Sequence, residues 1–212
     1  MKYRVLSISM VLTFILSSSN YATEYVVNQK NRVANDAGPG TKKEPFKTIG
    51  AAVIRVKAGD KILISAGIYR DSVELKTSGT EGNPITIEAA DRGKVIMKGS
   101  VVVTDWKREP GNSPVYLHEG WTKYFGPVSQ KEKDARAKSR NKVFSNGTIV
   151  EEVFQSGDLK ENSFFIDKEQ KQIHLWLIKG EDPNRKQIEV ADQEFLFHST
   201  GNNYITILGI RF

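Results

Sequence analysis

Residues 61–97 read KILISAGIYRDSVELKTSGTEGNPITIEAADRGKVIM, and this stretch decides the fold. Apolar and polar residues alternate in short runs that glycine-rich turns separate, which is typical of β-strands buried on one face. The apolar pairs are Ile62 and Ile64, Val73 and Leu75, Ile85 and Ile87, and Val95 and Met97. The stretch therefore predicts four short strands in close succession.

The strand pattern repeats at a nearly constant interval. Ile62/Ile64 precede Ile85/Ile87 by 23 residues, and Val73/Leu75 precede Val95/Met97 by 22. A period in the low twenties favours a parallel β-solenoid whose turns stack their apolar side chains inward. A β-sandwich, in which strands also recur every ~8 to 12 residues, is the alternative that the pattern leaves open.

A helix is predicted ahead of these strands. Phe46, Ile49, Val53 and Val56 follow one another at spacings of three and four after Pro45, which indicates one apolar stripe on a helix of about a dozen residues. Gly59 is expected to end it. Such a helix would cap the first turn of a solenoid.

The later chain predicts a small inserted subdomain before the solenoid resumes. Asn146-Gly147 between two apolar runs is a hairpin signal, and a second hairpin is expected between Phe164–Ile166 and Ile173–Leu177. The predicted division is 1–22, a leader; 23–106, the cap helix and first solenoid turns; 107–186, a β-rich insertion; and 187–212, the return to the solenoid. Because the apolar segment Tyr204–Phe212 has no polar cap after it, we expect the ending to interrupt a longer solenoid.

The first 22 residues predict an export signal. Lys2 and Arg4 precede a run of about a dozen mostly apolar residues, and small and polar residues follow. An uncleaved anchor helix is the alternative. The expected location is outside the cytoplasm: secreted, periplasmic or at the cell surface, with no membrane contact after cleavage.

Composition limits the chemistry. The 212 residues carry a net charge of +6 and no cysteine, which excludes a disulfide scaffold, a thiolate metal site and a cysteine nucleophile. The basic run 130–142 lacks interleaved aromatic residues, so we interpret it as a solvated segment rather than a polyanion contact. No nucleic-acid partner is expected for an exported protein. The positive charge slightly favours an acidic polysaccharide.

The chain resembles the N-terminal region of secreted proteins of the pectate-lyase-like superfamily. The residues that carry the resemblance include 36–41, 45–49, 58–60, 67–69, 84–87 and 99–100, and in the insertion 143–147, 163–167, 175–177, 182–184 and 204–207. The resemblance implies a mainly β fold: the start of a right-handed parallel β-helix with an N-terminal capping α-helix and an inserted small β subdomain.

The resemblance also implies a carbohydrate-active protein. Members of this superfamily are polysaccharide lyases, glycoside hydrolases or non-catalytic surface proteins, so both an enzyme and a carbohydrate-binding solenoid are expected functions. No family catalytic motif matches a position here. The catalytic residues are therefore unknown, and this chain is expected to lack its own active site. Calcium is a candidate cofactor, and a complete small β domain is a third possibility.

Several residues are weak candidates for a site. Trp121, Tyr124 and Phe125 could form a platform on which a sugar ring stacks, although filling the join between insertion and solenoid explains them as well. The other candidates are Asp71, Glu74 and Glu88 as outward-facing acids, and Asn35 and Asp36 as calcium ligands. His118, His174 and His198 show no metal-ligand spacing, and no metal site is predicted.

Overall fold

A computed structural model describes residues 22–126 and 139–212 of the protein. The first strands are β1 (Glu24–Val27), β2 (Lys61–Ile64), β3 (Gly67–Tyr69), β4 (Val73–Glu74), β5 (Ile85–Ala89) and β6 (Val95–Met97). Eight more follow: β7 (Ser100–Val102), β8 (Lys107–Arg108), β9 (Tyr116–Glu119), β10 (Val143–Ser145), β11 (Thr148–Glu152), β12 (Ser163–Asp167), β13 (Gln172–Trp176) and β14 (Ile188–Ala191). The last are β15 (Phe197–His198), β16 (Ile205–Leu208) and β17 (Ile210–Arg211).

Parallel strands form the three faces of a coil. The first face has the order β1-β2-β5-β16, the second β3-β6-β17, and the third β4-β15. Every neighbouring pair within these faces is parallel. One turn therefore runs through β2, β3 and β4, the next through β5, β6 and β15, and a third begins with β16 and β17. The mainly β, parallel solenoid is confirmed, whereas the sandwich alternative requires antiparallel sheets.

The core of the coil is built from the alternating apolar residues. Ile62, Ile64, Ile85 and Ile87 are all buried and belong to one hydrophobic cluster. The predicted inward face of these strands is confirmed, because successive side chains of a strand point to opposite sides of the sheet.

The 22-residue repeat predicted that Val73/Leu75 and Val95/Met97 occupy equivalent positions in successive turns, and this prediction was wrong. Met97 of β6 lies beside Tyr69 of β3, not beside β4. The neighbour of Val73 in β4 is Phe197. The register of the first face also differs from the expectation, because Ile62 lies beside Ile87 rather than Ile85. The reason is that the chain leaves the coil after β6 and supplies the third face of this turn only when it returns.

The cap helix is shorter than expected. It spans only Ile49–Val53, with Thr48 as its N-cap accepting a hydrogen bond from Ala51 N at 3.2 Å. Phe46 precedes it in extended backbone beside Val27, so the prediction of a dozen helical residues was wrong. The apolar stripe is nevertheless buried, because the helix packs against β1, β2 and β4.

The inserted segment forms one eight-stranded sheet. Its order is β7-β14-β10-β11-β12-β13-β9-β8, and its buried face has a separate hydrophobic cluster. Both predicted hairpins are present, the first closing at Asn146-Gly147 with positive φ at both residues. The sheet includes β7 and β14, which lie outside the predicted insertion 107–186. These two strands pair antiparallel with each other where the chain leaves and re-enters the coil.

Two predicted segments fall wholly or partly outside the described residues. Of the predicted leader 1–22, only Ala22 is among the described residues. In the basic run 130–142, the residues before 139 are not among them. Within ranges 22–126 and 139–212, no helix has the length and apolar character needed to cross a membrane.

Candidate ligand-binding site

A cleft lies where the inserted sheet meets the coil. Its volume is about 420 Å³, within the range of small-ligand sites. We call it the junction cleft; it is lined by Met97, Lys98, Gly99, Ser100, Lys142, Phe144, Gly147, Glu189, Ala191, Gln193, Leu196 and Phe212. The set combines apolar walls with two lysines and one carboxylate, a composition suited to an amphipathic ligand.

The register of the second face places two basic residues at corresponding positions of successive turns. Because Tyr69 lies beside Met97, the next residues, Arg70 and Lys98, follow equivalent strand ends. Lys98 N also donates to Tyr69 O at 2.9 Å, which continues the pairing for one residue. The coil thus delivers two cations to the base of the inserted sheet.

Glu189 of β14 forms ion pairs with both cations, Arg70 and Lys98. Its Oε2 accepts hydrogen bonds from Arg70 Nη1 at 3.0 Å and Ser100 Oγ at 2.6 Å. Its Oε1 accepts from Lys98 Nζ at 2.9 Å and from Gln187 Nε2 at 2.7 Å. The Glu189 side chain is only 5% exposed, so these bonds form in a site largely closed to water.

The environment keeps Glu189 ionised. Burial alone would raise its pKa, but the hydrogen bonds from Arg70, Ser100 and Lys98, together with the charge of Arg70, lower the pKa to about 2. One carboxylate faces two cations, which leaves an excess positive charge beside the junction cleft. Lys142 Nζ donates to the carbonyl of Ser139 at 2.6 Å, and Lys142 also borders a second depression together with Glu151 and Glu152.

The apolar side of the junction cleft comes from both units. Phe144 of β10 lies opposite Glu189 of β14 in the antiparallel register, so the two side chains share one face of the inserted sheet. Leu196, just before β15, and Phe212, just after β17, come from the coil. A ligand there would contact aromatic rings and ammonium groups together.

The predicted stacking residues lie elsewhere. Trp121 is 8% exposed and packs in the core of the inserted sheet. Tyr124 packs partly against this core, with Lys168 Nζ 3.5 Å from the centre of its ring. Phe125 N donates to Asn141 Oδ1 at 2.7 Å. Trp121 and Tyr124 line a separate depression of about 200 Å³, and a sugar-stacking role for the three residues stays a prediction.

The candidate acids of the coil have local partners. Asp71 Oδ2 accepts from Gly50 N at 2.7 Å in the first turn of the cap helix. Glu88 pairs with Lys61 at 2.8 Å, and Glu74 with Lys76 at 3.2 Å. Each of the three acids therefore has a structural contact, and a catalytic role for any of them stays a prediction.

Asn35 and Asp36 do not fit the calcium interpretation. Asp36 Oδ1 accepts from the backbone of Lys47 and Thr48 at 2.7 and 2.9 Å, and its Oδ2 accepts from Thr48 Oγ1 at 3.1 Å. Asn35 Oδ1 accepts from Ala37 N at 3.0 Å. Their oxygens hold the loop against the cap helix. In the parts of the chain that the structure describes, no group of three or more His, Asp or Glu side chains could hold a metal.

The three histidines are dispersed. The rings of His118 and Trp106 lie 5.5 Å apart. His174 lies 5.6 Å from Phe165, and burial lowers its pKa, against smaller opposing effects of Glu109 and Asp167. The ring centres of His198 and Phe195 lie 5.0 Å apart. These three aromatic pairs lie on different elements.

Sequence reasoning did not single out Glu189, Arg70 or Lys98. One signal was present: Glu189 stands between Ile188 and Val190, where a charge in an apolar strand needs a partner. The identity of that partner depended on contacts across 91 and 119 residues.

Fold and cleft together define a parallel β-helix that carries an inserted β-sheet subdomain with a cationic cleft at its base. The model of the Chondroitinase B family matches residues 44–174, more than half of the chain. The chain therefore belongs to the Chondroitinase B family.

Similar proteins are much longer than the matched region. An uncharacterized protein, YwoF of Bacillus subtilis (strain 168), is 31% identical over 98 residues, covering 44% of this chain and 20% of its own length. A structure of XylC in complex with xylose has a TM-score of 0.68 at 26% identity and covers 87% of this chain and 34% of its own. A glycoside hydrolase structure, with a TM-score of 0.53 at 14% identity and 89% and 50% coverage, shares the fold. The chain thus spans about a fifth of YwoF and about a third of XylC.

Proposed function

We propose that this chain is the N-terminal part of an exported, carbohydrate-active β-helix enzyme that acts on a polysaccharide by lyase or glycosidase chemistry. The observation that carries the proposal is the match to the Chondroitinase B family across the coil and most of the insertion. The likeness to XylC, whose structure holds xylose, supports a saccharide ligand.

The proposal includes a division of labour along the chain. Residues 23–106 and 187–212 supply turns of the coil, and 107–186 supply most of the inserted sheet. Three acids of the described turns hold loops or neighbouring strands: Asp36, Asp71 and Glu88. We therefore place the reacting groups outside this chain, and assign to it the scaffold and substrate contacts. Calcium, if used, would bind with those reacting groups.

A non-catalytic carbohydrate-binding solenoid is the second candidate. The junction cleft favours it specifically, because a cleft with aromatic and cationic walls can bind a saccharide without any reacting group.

The experiment compares the full-length gene product with this 212-residue chain on a panel of neutral and uronate-containing polysaccharides. A lyase produces unsaturated uronates, detected by ultraviolet absorbance, whereas a hydrolase produces new reducing ends without that absorbance. We expect turnover by the full-length product and none by the 212-residue chain alone.

The outcomes separate the candidates. Turnover by the 212-residue chain itself would overturn the placement of the reacting groups. Saccharide binding without turnover by the full-length product would favour the carbohydrate-binding protein. Neither binding nor turnover across the panel would reject both.

A further inference from the structure

Two loops at the N-terminal end of the coil hold a group of cations. The first loop, residues 28–35, follows β1, and the second, residues 40–47, leads into the cap helix. We call their basic residues the basic cap surface: Lys30, Arg32, Lys42, Lys43 and Lys47. All five residues are exposed. Neither the junction cleft nor the contacts of Glu189 involve any of them.

Backbone hydrogen bonds hold the two loops side by side. Asn28 N donates to Phe46 O at 2.9 Å, and Asn35 N donates to Pro45 O at 2.9 Å. The first loop is also fixed internally, because the side-chain oxygen of Asn31 accepts from the backbone of the same loop at 3.1 Å. The five cations therefore project from one ordered surface.

The charge of this surface is only partly neutralised. Residues 28–47 contain five cations and two acids, Asp36 and Glu44, for a net charge of +3. Asp36 accepts hydrogen bonds from the backbone of Lys47 and Thr48 at 2.7 and 2.9 Å, so it is used to hold the loop. In the part of the chain that the structure describes, none of the five cationic side chains forms an ion pair.

The composition of the loops favours a lipid surface over a sugar. Residues 28–44 contain no Phe, Tyr or Trp on which a sugar ring could stack. Val33, next to Arg32 in the first loop, is an apolar side chain that is 56% exposed. Cations around an exposed apolar residue are typical of proteins that bind anionic membranes, since the charges meet the lipid phosphates while the apolar group enters the headgroup layer.

The position of the loops in the chain supports the same partner. The apolar run of the predicted leader ends at Leu16, and β1 begins at Glu24. A strand of this length spans about 13 Å, and the first loop follows it directly. The basic cap surface is therefore close in the chain to the segment that is predicted to engage a membrane during export.

We propose that the basic cap surface docks the exported chain on an anionic phospholipid membrane, with its five cations facing the lipid phosphates. The contact is peripheral and electrostatic, and it departs from the expectation that the exported protein makes no membrane contact. It is independent of the proposed function, because it involves no saccharide and no reacting group.

Sedimentation with lipid vesicles measures the docking of the full chain. One set of vesicles contains phosphatidylglycerol and phosphatidylcholine in equal parts, and the other contains phosphatidylcholine alone. We expect the chain to partition at least about tenfold more strongly to the anionic vesicles, and the preference to decline with added salt. Equal partitioning to both sets would overturn the proposal.

A triple variant locates the contact. Replacement of three cations, Lys30→Gln, Lys42→Gln and Lys43→Gln, should weaken partitioning to the anionic vesicles about tenfold or more, since each cation near an anionic surface contributes about fivefold. The corresponding triple replacement by arginine should retain most of the binding, because it keeps the charge. All variants carry the same leader, so any binding by the leader itself is common to them.

The matched control removes the same number of charges from exposed lysines outside the two loops: Lys94→Gln, Lys123→Gln and Lys171→Gln. It should change partitioning less than about threefold, because charges beyond about 10 Å from the membrane are screened. Equal losses in the two glutamine triples, both folded by circular dichroism, would overturn the proposal.

A polyanionic glycan is the competing partner for a basic surface, and polygalacturonate is its probe. If the loop triple loses affinity for polygalacturonate while its partitioning to anionic vesicles stays at the wild-type level, the surface binds a glycan and the proposal is overturned. Turnover of soluble polysaccharide by the full-length product is a separate readout. Its absence would remove the proposed function and leave the docking surface, whereas turnover without charge-dependent vesicle binding would do the reverse.

Discussion

Arg70 and Glu189 are joined by a hydrogen bond of 3.0 Å although 119 residues separate them in the chain. Arg70 follows a strand of the coil, and Glu189 lies in a strand of the inserted sheet. With Lys98 and Ser100, the contact fixes the base of the insertion to two successive turns. Glu189, Lys98 and Ser100 also line the junction cleft.

Replacing Glu189 should destabilise the protein strongly. Glu189→Gln removes the charge that compensates Arg70 and Lys98 in a largely buried site, and we expect a loss of about 3 kcal/mol in the free energy of unfolding. Urea denaturation at neutral pH measures it. Glu181→Gln, which breaks the more exposed ion pair with Lys186, is the control and should cost under about 1 kcal/mol. Similar losses in both variants would show that the Glu189 cluster stabilises the protein no more than an exposed ion pair does.

The contribution of Glu189 should depend on pH in a defined window. Burial opposes ionisation, but the hydrogen bonds from Arg70, Ser100 and Lys98 lower the folded-state pKa from 4.5 to about 2. The folded state therefore binds the proton less readily than the unfolded chain. The resulting stability is fully present above the unfolded pKa and is lost as the pH falls from about 4.5 to about 2.

The difference between the wild type and Glu189→Gln isolates this effect from other carboxylates. Urea midpoints at about pH 6, 4 and 3 should show the difference shrinking as the pH falls. A difference that is constant over this range would contradict the lowered pKa of Glu189.

One column of isoleucines provides a graded test of the coil. Ile62, Ile87 and Ile207 lie side by side on three successive strands of the first face. Ile87 is 1% exposed and Ile207 is 37% exposed. Ile87→Ala should cost about 2–5 kcal/mol because it leaves a cavity between turns, and Ile207→Ala should cost about 1 kcal/mol or less. Equal costs, measured by thermal or urea unfolding, would contradict the stacking described here.

Gly79 should not tolerate a side chain. A Cβ at this position would meet the carbonyl oxygen of Tyr204 and would lie 2.9 Å from Ile85 N, two backbone atoms that hydrogen-bond to each other. Gly79→Ala therefore has to displace the third turn from the second, and we expect a loss of at least about 2 kcal/mol. Gly157→Ala is the control, because nothing lies within 4 Å of its added Cβ and its backbone is not strained. A neutral Gly79→Ala would place the two turns further apart than described.

Part of the candidate site was accessible to sequence reasoning and part was not. Aromatic clusters are typical of sugar sites, which made Trp121 and Tyr124 candidates, yet Trp121 packs in the core of the inserted sheet. Glu189 stood in an apolar strand and needed a partner, but Arg70 and Lys98 became its partners only through the stacking of β3 on β6 and the return of β14.

The sequence by itself determined which side of each strand is buried. The alternation at Ile62/Ile64 and Ile85/Ile87 is a local property, as is the turn at Asn146-Gly147, and all of these are found in the structure. Only the tertiary structure decided which strands lie side by side. Alternation determines which side of a strand is buried but not which strand lies beside it. The pairing of Val73 with Phe197 therefore followed from where the insertion leaves and re-enters the coil.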